Sequence, residues 1–209
     1  PLRLVGSEMC IRDRTRIFGA SALHKDDLMT VILRIAGKAG VRVSLPAEAH
    51  GLCCSQIWEH KGNVEGQKIT ANRTVACFYD WSERGRIPIF CDTTSCTHTL
   101  LSETGGNILT PENQEKYKQL KIIDITQWLN EIILPKIKEI KPKNRVLLHP
   151  TCSCQIMNLT PVMLDIARKC AREVILPDNW GCCGASGDRG FIFPELSESA
   201  TQDLSLIHI

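Results

Sequence analysis

The sequence predicts an α/β protein built from two pseudo-repeated, cysteine-rich lobes, each with a small, mostly parallel sheet, helices and cysteine loops. Three observations predict it: eleven cysteines in 209 residues, an internal repeat, and helical and β-rich patterns that alternate along the chain. The repeat is direct. Residues 31–46, VILRIAGKAGVRVSLP, align without a gap on residues 162–177, VMLDIARKCAREVILP, with eight of sixteen positions identical at an offset of 131. A match at fixed offset is the mark of a duplicated unit.

Each copy opens with apolar residues at helical spacing, Val31, Ile32, Ile35 and Ala39 in the first and Val162, Leu164, Ile166 and Cys170 in the second. A β-rich run ending at proline follows, VRVSLP or EVILP, and then a loop that reaches an adjacent cysteine pair, Cys53–Cys54 or Cys182–Cys183. The pair thus lies beyond the strand's carboxyl end, where parallel α/β sheets bind ligands. Between the copies the pattern predicts a helix over Asn63–Tyr79, a strand at IPIF, a loop at CDTTSCTHT and a helix over Ile125–Ile140. NRVLLHP then reads as a strand that delivers TCSC to a loop. The expected arrangement is two lobes, 15–140 and 141–203, facing each other through their cysteine loops.

The two ends read differently. The strings MCIRDR and LSLIHI can be encoded by reading frames that are reverse complements over nearly their whole length, and they resemble a transposon end used in sequencing adapters. Residues 1–14 and 204–209 are therefore expected to be adapter-derived, which leaves Thr15 to Asp203 as the natural segment.

Composition narrows the function. A net charge of +2, 5% aromatic residues and the lack of a basic block interleaved with aromatics argue against a nucleic-acid partner. The most apolar stretch, WLNEIILPKIKEI, is interrupted by Glu131, Pro135 and lysines and is too short for a transmembrane segment, so membrane contact would be peripheral. No secretory signal is legible and adjacent cysteines suit ordinary cross-links poorly, so a reduced compartment with metal ligands or redox thiols is expected. There is no G-x-G-x-x-G, H-E-x-x-H or G-x-S-x-G.

The candidate metal ligands are Cys53, Cys54, Cys91 and Cys96 in the first lobe and Cys152, Cys182 and Cys183 in the second, with Cys154 as an extra candidate. Separations of 37 residues from Cys54 to Cys91 and 30 from Cys152 to Cys182 require convergence through the fold. Clustered thiolates repel unless a cation or an iron cluster neutralises them. Adjacent cysteines can engage neighbouring metals of one cluster, which a single zinc ion does not need. Gly51, Gly181 and Gly184 are expected to give the cysteine turns close backbone approach and positive φ. Cys77 and Cys170 lie on helix faces and read as core residues. His50, His60, His98 and His149 read as structural histidines, and GDRG at 187–190 as a solvated turn.

The strings GLCCSQIWEHKG, CDTTSCT and HPTCS...NWGCCGASGDRGFIFPEL resemble the cysteine-rich CCG-domain family, and among its members most of all the C-terminal iron-sulfur region of FAD-linked D-lactate dehydrogenases. The resemblance extends over nearly all of residues 15–203. It implies iron-sulfur clusters of 4Fe-4S type, noncubane in the heterodisulfide reductase relatives, held by Cys53, Cys54, Cys96 and Cys91 at one site and by Cys152, Cys182 and Cys183 at the other. It further implies an oxidoreductase whose FAD-binding domain or subunit oxidises D-lactate or another D-2-hydroxy acid. Electrons would then leave toward a quinone or cytochrome in the cytoplasm or at the inner face of the cytoplasmic membrane. Glycolate or lactate oxidase iron-sulfur subunits and heterodisulfide reductase B-type thiol reductases are the alternatives. Two departures matter: Ser55 stands where the family often has glycine, and neither ligand set is complete. The first copy's opening cysteine belongs near Asp13, and the second copy ends before its closing cysteine pair.

Overall fold

The apolar positions at helical spacing do form amphipathic helices, and the β-rich runs do form parallel strands. The computed structural model describes residues 2–5, 28–102, 107–178, 181–184 and 189–206. The position near Asp13, Asn179 and Trp180 of NWGCCG, the first two residues of GDRG and the last three adapter-like residues lie outside the described residues. The chain divides into two compact units, Pro1–Ile137 and Lys138–Ile209.

The first unit carries a four-stranded parallel sheet of order β2-β1-β3-β4, with β1 at Leu2–Val5, β2 at Val43–Ser44, β3 at Ile89–Cys91 and β4 at Ile122–Asp124. Arg3 pairs with Ile89, Leu2 with Val43, and Cys91 with Asp124. Because every pairing is parallel, the carboxyl ends share one edge, and Cys91 and Asp124 sit side by side on it. β3 is buried along its whole length, as a parallel strand covered on both faces must be. Phe90 packs with Ile32, Ala36, Trp128 and Ile133, while Ile89 and Cys91 pack with Leu52, Phe78 and Leu100. The period-two alternation thus divides the core between two faces. Phe90 and Trp128 stack with ring centroids 4.3 Å apart.

Helix α1 (Leu28–Lys38) buries Ile32 and Ala36. After the short helix α2 (Gln56–His60), Asn63 caps the long α3 (Val64–Trp81) by accepting from the Gly66 N–H at 2.8 Å. Asn72 on α3 donates to the Ile108 carbonyl at 2.9 Å and accepts from the Thr110 N–H at 2.8 Å, which fixes the chain leading into α5 (Pro111–Tyr117).

Several expectations are corrected. CDTTSCTHT is largely a helix, α4 (Thr94–Ser102), in which burial of Thr97, Thr99 and Leu100 outweighs the weak helix propensity of threonine. Thr97 and Thr99 return their hydroxyls to the Thr93 and Ser95 carbonyls, 3.2 Å away in each case. The expected helix over Ile125–Ile140 is shorter and irregular. An Asp124–Gln127 capping box starts α6 (Ile125–Gln127), which continues as a π turn over Trp128–Ile133 and a 3-10 turn over Leu134–Lys136. Pro135 has no N–H to continue the ladder, and Ile137 is already extended.

In the second unit β5 (Lys143–Leu147) pairs in parallel with β6 (Ala171–Ile175). The expected TCSC loop is mostly a short helix, α7 (Cys152–Ile156), because Thr151 caps it through the Cys154 N–H at 3.2 Å. Helix α8 (Thr160–Cys170) carries Pro161 in its first turn and leads directly into β6. Two helices absent from the sequence reading follow, α9 (Arg189–Ile192) and α10 (Pro194–Leu206). Among the described residues no helix is long and apolar enough to cross a membrane.

Candidate metal centre

In the first unit Leu52, 6% exposed, anchors the segment that follows a 3-10 turn over Ala47–Gly51, and Thr74 on α3 donates to the Cys53 carbonyl at 2.9 Å. The next residue but one, Ser55, adopts a left-handed backbone at φ 74° and ψ −9°. That turn directs the Ser55 N–H to the Cys53 sulfur and the Gln56 N–H to the Cys54 sulfur. The Cys53 and Cys54 thiols are hydrogen-bonded to each other, and Cys54 is hydrogen-bonded in turn to Cys96 on α4. Cys91, 3% exposed at the end of β3, lies beside Thr97 and within electrostatic reach of Cys54 and Asp124. Four of the seven candidate ligands, drawn from three separate segments, are therefore neighbours.

Their acidities follow from that crowding. The hydrogen bond with Cys54, burial and the Cys54 charge hold the Cys53 thiol far above its ordinary range. For Cys54 the largest influence, the hydrogen bond from Cys53, favours the thiolate. The bond with Cys96, burial and the Cys96 charge outweigh it, and the thiol is pushed up to about 12. Burial, then the charges of Asp92, Cys54 and Asp124, raises Cys91. These thiols keep their protons at neutral pH unless a cation displaces them.

The second unit assembles a smaller and more open group. Cys152 at the start of α7, Cys182 and Cys183 are all exposed. Cys152 and Cys182 are hydrogen-bonded through their thiols, with Cys183 in electrostatic range; burial, that bond and the two neighbouring charges raise the Cys152 thiol. The Gly184 N–H lies 3.4 Å from the Cys182 sulfur. The His149 Nε2–H donates to the Gly181 carbonyl at 2.8 Å, tying the cysteine turn to the segment after β5.

Of the three glycines expected to need positive φ, Gly184 alone has it, at +70°. A Cβ there would lie 2.4 Å from the Leu196 carbonyl oxygen of α10. Gly51 and Gly181 turn without it, so their backbones impose no such demand. Cys154 is 1% exposed and packs inward with its sulfur 2.9 Å from the Met163 sulfur. Cys77 packs half-buried against the Phe78 and Leu100 cluster, as its helix face predicts, and Cys170 is half-buried at the end of α8.

The sequence reading missed Thr74, Thr97 and Asp124. The first two announce nothing by type or spacing. Asp124, buried with Oδ2 unpartnered, is the first residue of a D-x-x-Q capping box, a signal that was legible. Among the described residues no three His, Cys, Asp or Glu side chains form a group that could hold a metal ion. What comes together is a chain of thiol pairs. No family model, no curated protein and no solved structure matches the chain.

Proposed function

We propose that the chain is the electron-transferring iron-sulfur region of an FAD-dependent D-lactate or other D-2-hydroxy acid dehydrogenase, with two related ligand sets in a duplicated α/β unit. The observation that carries the reading is the meeting of thiols distant in sequence, Cys54 with Cys96 and Cys152 with Cys182. The offset of 131 residues from the sequence repeat brings Val43–Ser44 onto Val174–Ile175 of β6, and it brings α1 to within one residue of α8. Each unit therefore presents a helix, a parallel strand and a cysteine pair in the same order, which supports duplication.

On this reading Cys53, Cys54 and Cys96, with Cys91, hold one iron-sulfur group, and Cys152, Cys182 and Cys183 hold the other. Each group, when bound, takes up and releases single electrons. The chain's own residues do the rest. The buried wall of Leu52, Phe78 and Leu100 keeps water from Cys91. The N–H groups of Ser55, Gln56 and Gly184 face sulfur and favour added negative charge there. Electrons would come from a flavin domain or subunit and pass to a quinone or cytochrome acceptor.

Anaerobic reconstitution of the chain with ferrous iron and sulfide tests the reading. Iron and acid-labile sulfide should co-purify with the protein. Cys54→Ser and Cys182→Ser should each remove a separate part of it. Retention of zinc in preference to iron, or iron that both substitutions leave untouched, would overturn the assignment.

A further inference from the structure

The two units share a strand, a helix and a parallel strand in that order, but they finish the sheet differently. In the first, β1 precedes α1 and pairs with β2; in the second, β5 precedes α8 and pairs with β6. The offset of the sequence repeat lays β2 on β6, so β5 takes the place of β1. On its other side β1 is paired with the apolar strand β3, Ile89–Cys91. Among the described residues nothing pairs with the corresponding side of β5.

The register identifies the groups left open there. The Leu148 N–H donates to the Ile175 carbonyl at 2.8 Å, and Leu147 is level with Ile175. Successive residues of a strand turn their peptide groups to opposite sides, so Val146 and Leu148 face β6 while Arg145 and Leu147 aim an N–H and a carbonyl away from it. Such a row is a template for another strand. Two parallel strands alone also make a poor sheet, since parallel sheets are ordinarily covered on both faces. β3 is buried throughout, whereas Lys143, Asn144 and Arg145 are exposed.

Charge narrows the occupant. Lys138, Lys141 and Lys143 lead into the amino end of β5, all exposed, with Glu139 as the one acidic residue of that stretch. In a parallel pair the amino ends lie together, so an incoming strand brings its first residues to these lysines. A second copy of β5 would instead set Lys143 and Arg145 against their own kind.

We propose that the outer edge of β5 is a docking site for an extended segment of a partner polypeptide, parallel to β5, in which acidic residues are followed by an apolar run like that of β3. Main-chain bonds to Arg145 and Leu147 hold it, and its carboxylates meet the lysines. Its carboxyl end lies at the edge from which the chain leads to Cys152, as the carboxyl end of β3 carries Cys91 in the first unit.

Amide hydrogen exchange of the full chain, read by NMR, tests this with the synthetic peptide EEIVIF and its counterpart KKIVIF, each at about 1 mM. Without peptide, Arg145 and Leu147 should exchange about tenfold or more faster than Val146 and Leu148. EEIVIF should slow both by about tenfold or more, and KKIVIF by less than about threefold. Arg145→Pro removes an outward N–H and leaves the bonds to β6, so it should abolish the protection at Leu147; Arg145→Gln keeps the N–H and should retain it. Protection of Arg145 and Leu147 in the free chain means that the edge is already closed and overturns the proposal, whether another part of the chain covers it or, at rising protein concentration, a second copy does. Equal slowing by the two peptides overturns the acidic partner. No slowing by EEIVIF, or slowing that survives Arg145→Pro, overturns the docking site itself. Should Arg145→Pro also unprotect Val146 and Leu148, the comparison of the two peptides on the parent chain decides.

Discussion

At Cys53–Cys54–Ser55 and at Cys182–Cys183–Gly184 the third residue has nearly the same left-handed φ, 74° and 70°, and its N–H reaches the sulfur of the first cysteine. Around the first turn lie Leu52, Phe78, Leu100 and the buried Cys91, whereas Cys152, Cys182 and Cys183 are exposed. Burial therefore does not create the conformation. The contact between N–H and sulfur is what the two turns have in common, and a left-handed third residue is what delivers it. The residue type at that position is then decided by space. Leu196 forbids any Cβ at Gly184, while the first turn admits a serine at the cost of strain.

The contrast breaks most visibly at Gly184. Gly184→Ala forces both a positive φ and a clash with the Leu196 carbonyl, and should destabilise the Lys138–Ile209 unit by about 2–3 kcal/mol in chemical denaturation. A loss below about 0.5 kcal/mol would mean that α10 yields and that the glycine is not needed for space. Next in size is thiol accessibility. Under native conditions at neutral pH, Cys152, Cys182 and Cys183 should alkylate about tenfold or more faster than Cys91 and Cys154, followed by mass spectrometry of peptides. Equal rates would erase the distinction between a covered and an open group. The smallest expected effect sharpens the first turn alone. Thr74→Val removes the bond to the Cys53 carbonyl and should cost about 1 kcal/mol, with faster alkylation of Cys53 and no change at Cys182.

Helices α1 and α8 and the strands that follow them were legible because their apolar residues repeat at one period and then another, a signal that survives without knowledge of the fold. The cysteine pairs were legible for the same reason, as strings with neighbouring turn residues. Helix α4 was not: Thr93, Thr94, Ser95, Thr97 and Thr99 read as loop, and the burial of Thr97 and Thr99 that favours the helix is a tertiary fact. The contact between Cys54 and Cys96 joins residues from a loop and a helix, and no local spacing encodes it. Helix α10 begins at Pro194, a recognisable start, but PELSESATQDL has no apolar stripe to extend the prediction. Ser55 was visible only as a departure from glycine, and its meaning required the backbone angle.

Strand β1 occupies the interior of the four-stranded sheet, with β2 on one side and β3 on the other, although its residues, LRLV, fall in the stretch that reads as adapter-derived. A parallel ladder is made by peptide groups, which are alike in every sequence, so the position asks of its occupant little beyond an extended run of apolar and β-tolerant residues. Hospitality of that kind is indifferent to ancestry. What frames the place is the pair of neighbouring strands, Val43–Ser44 and Ile89–Cys91, and both are written in residues outside that stretch.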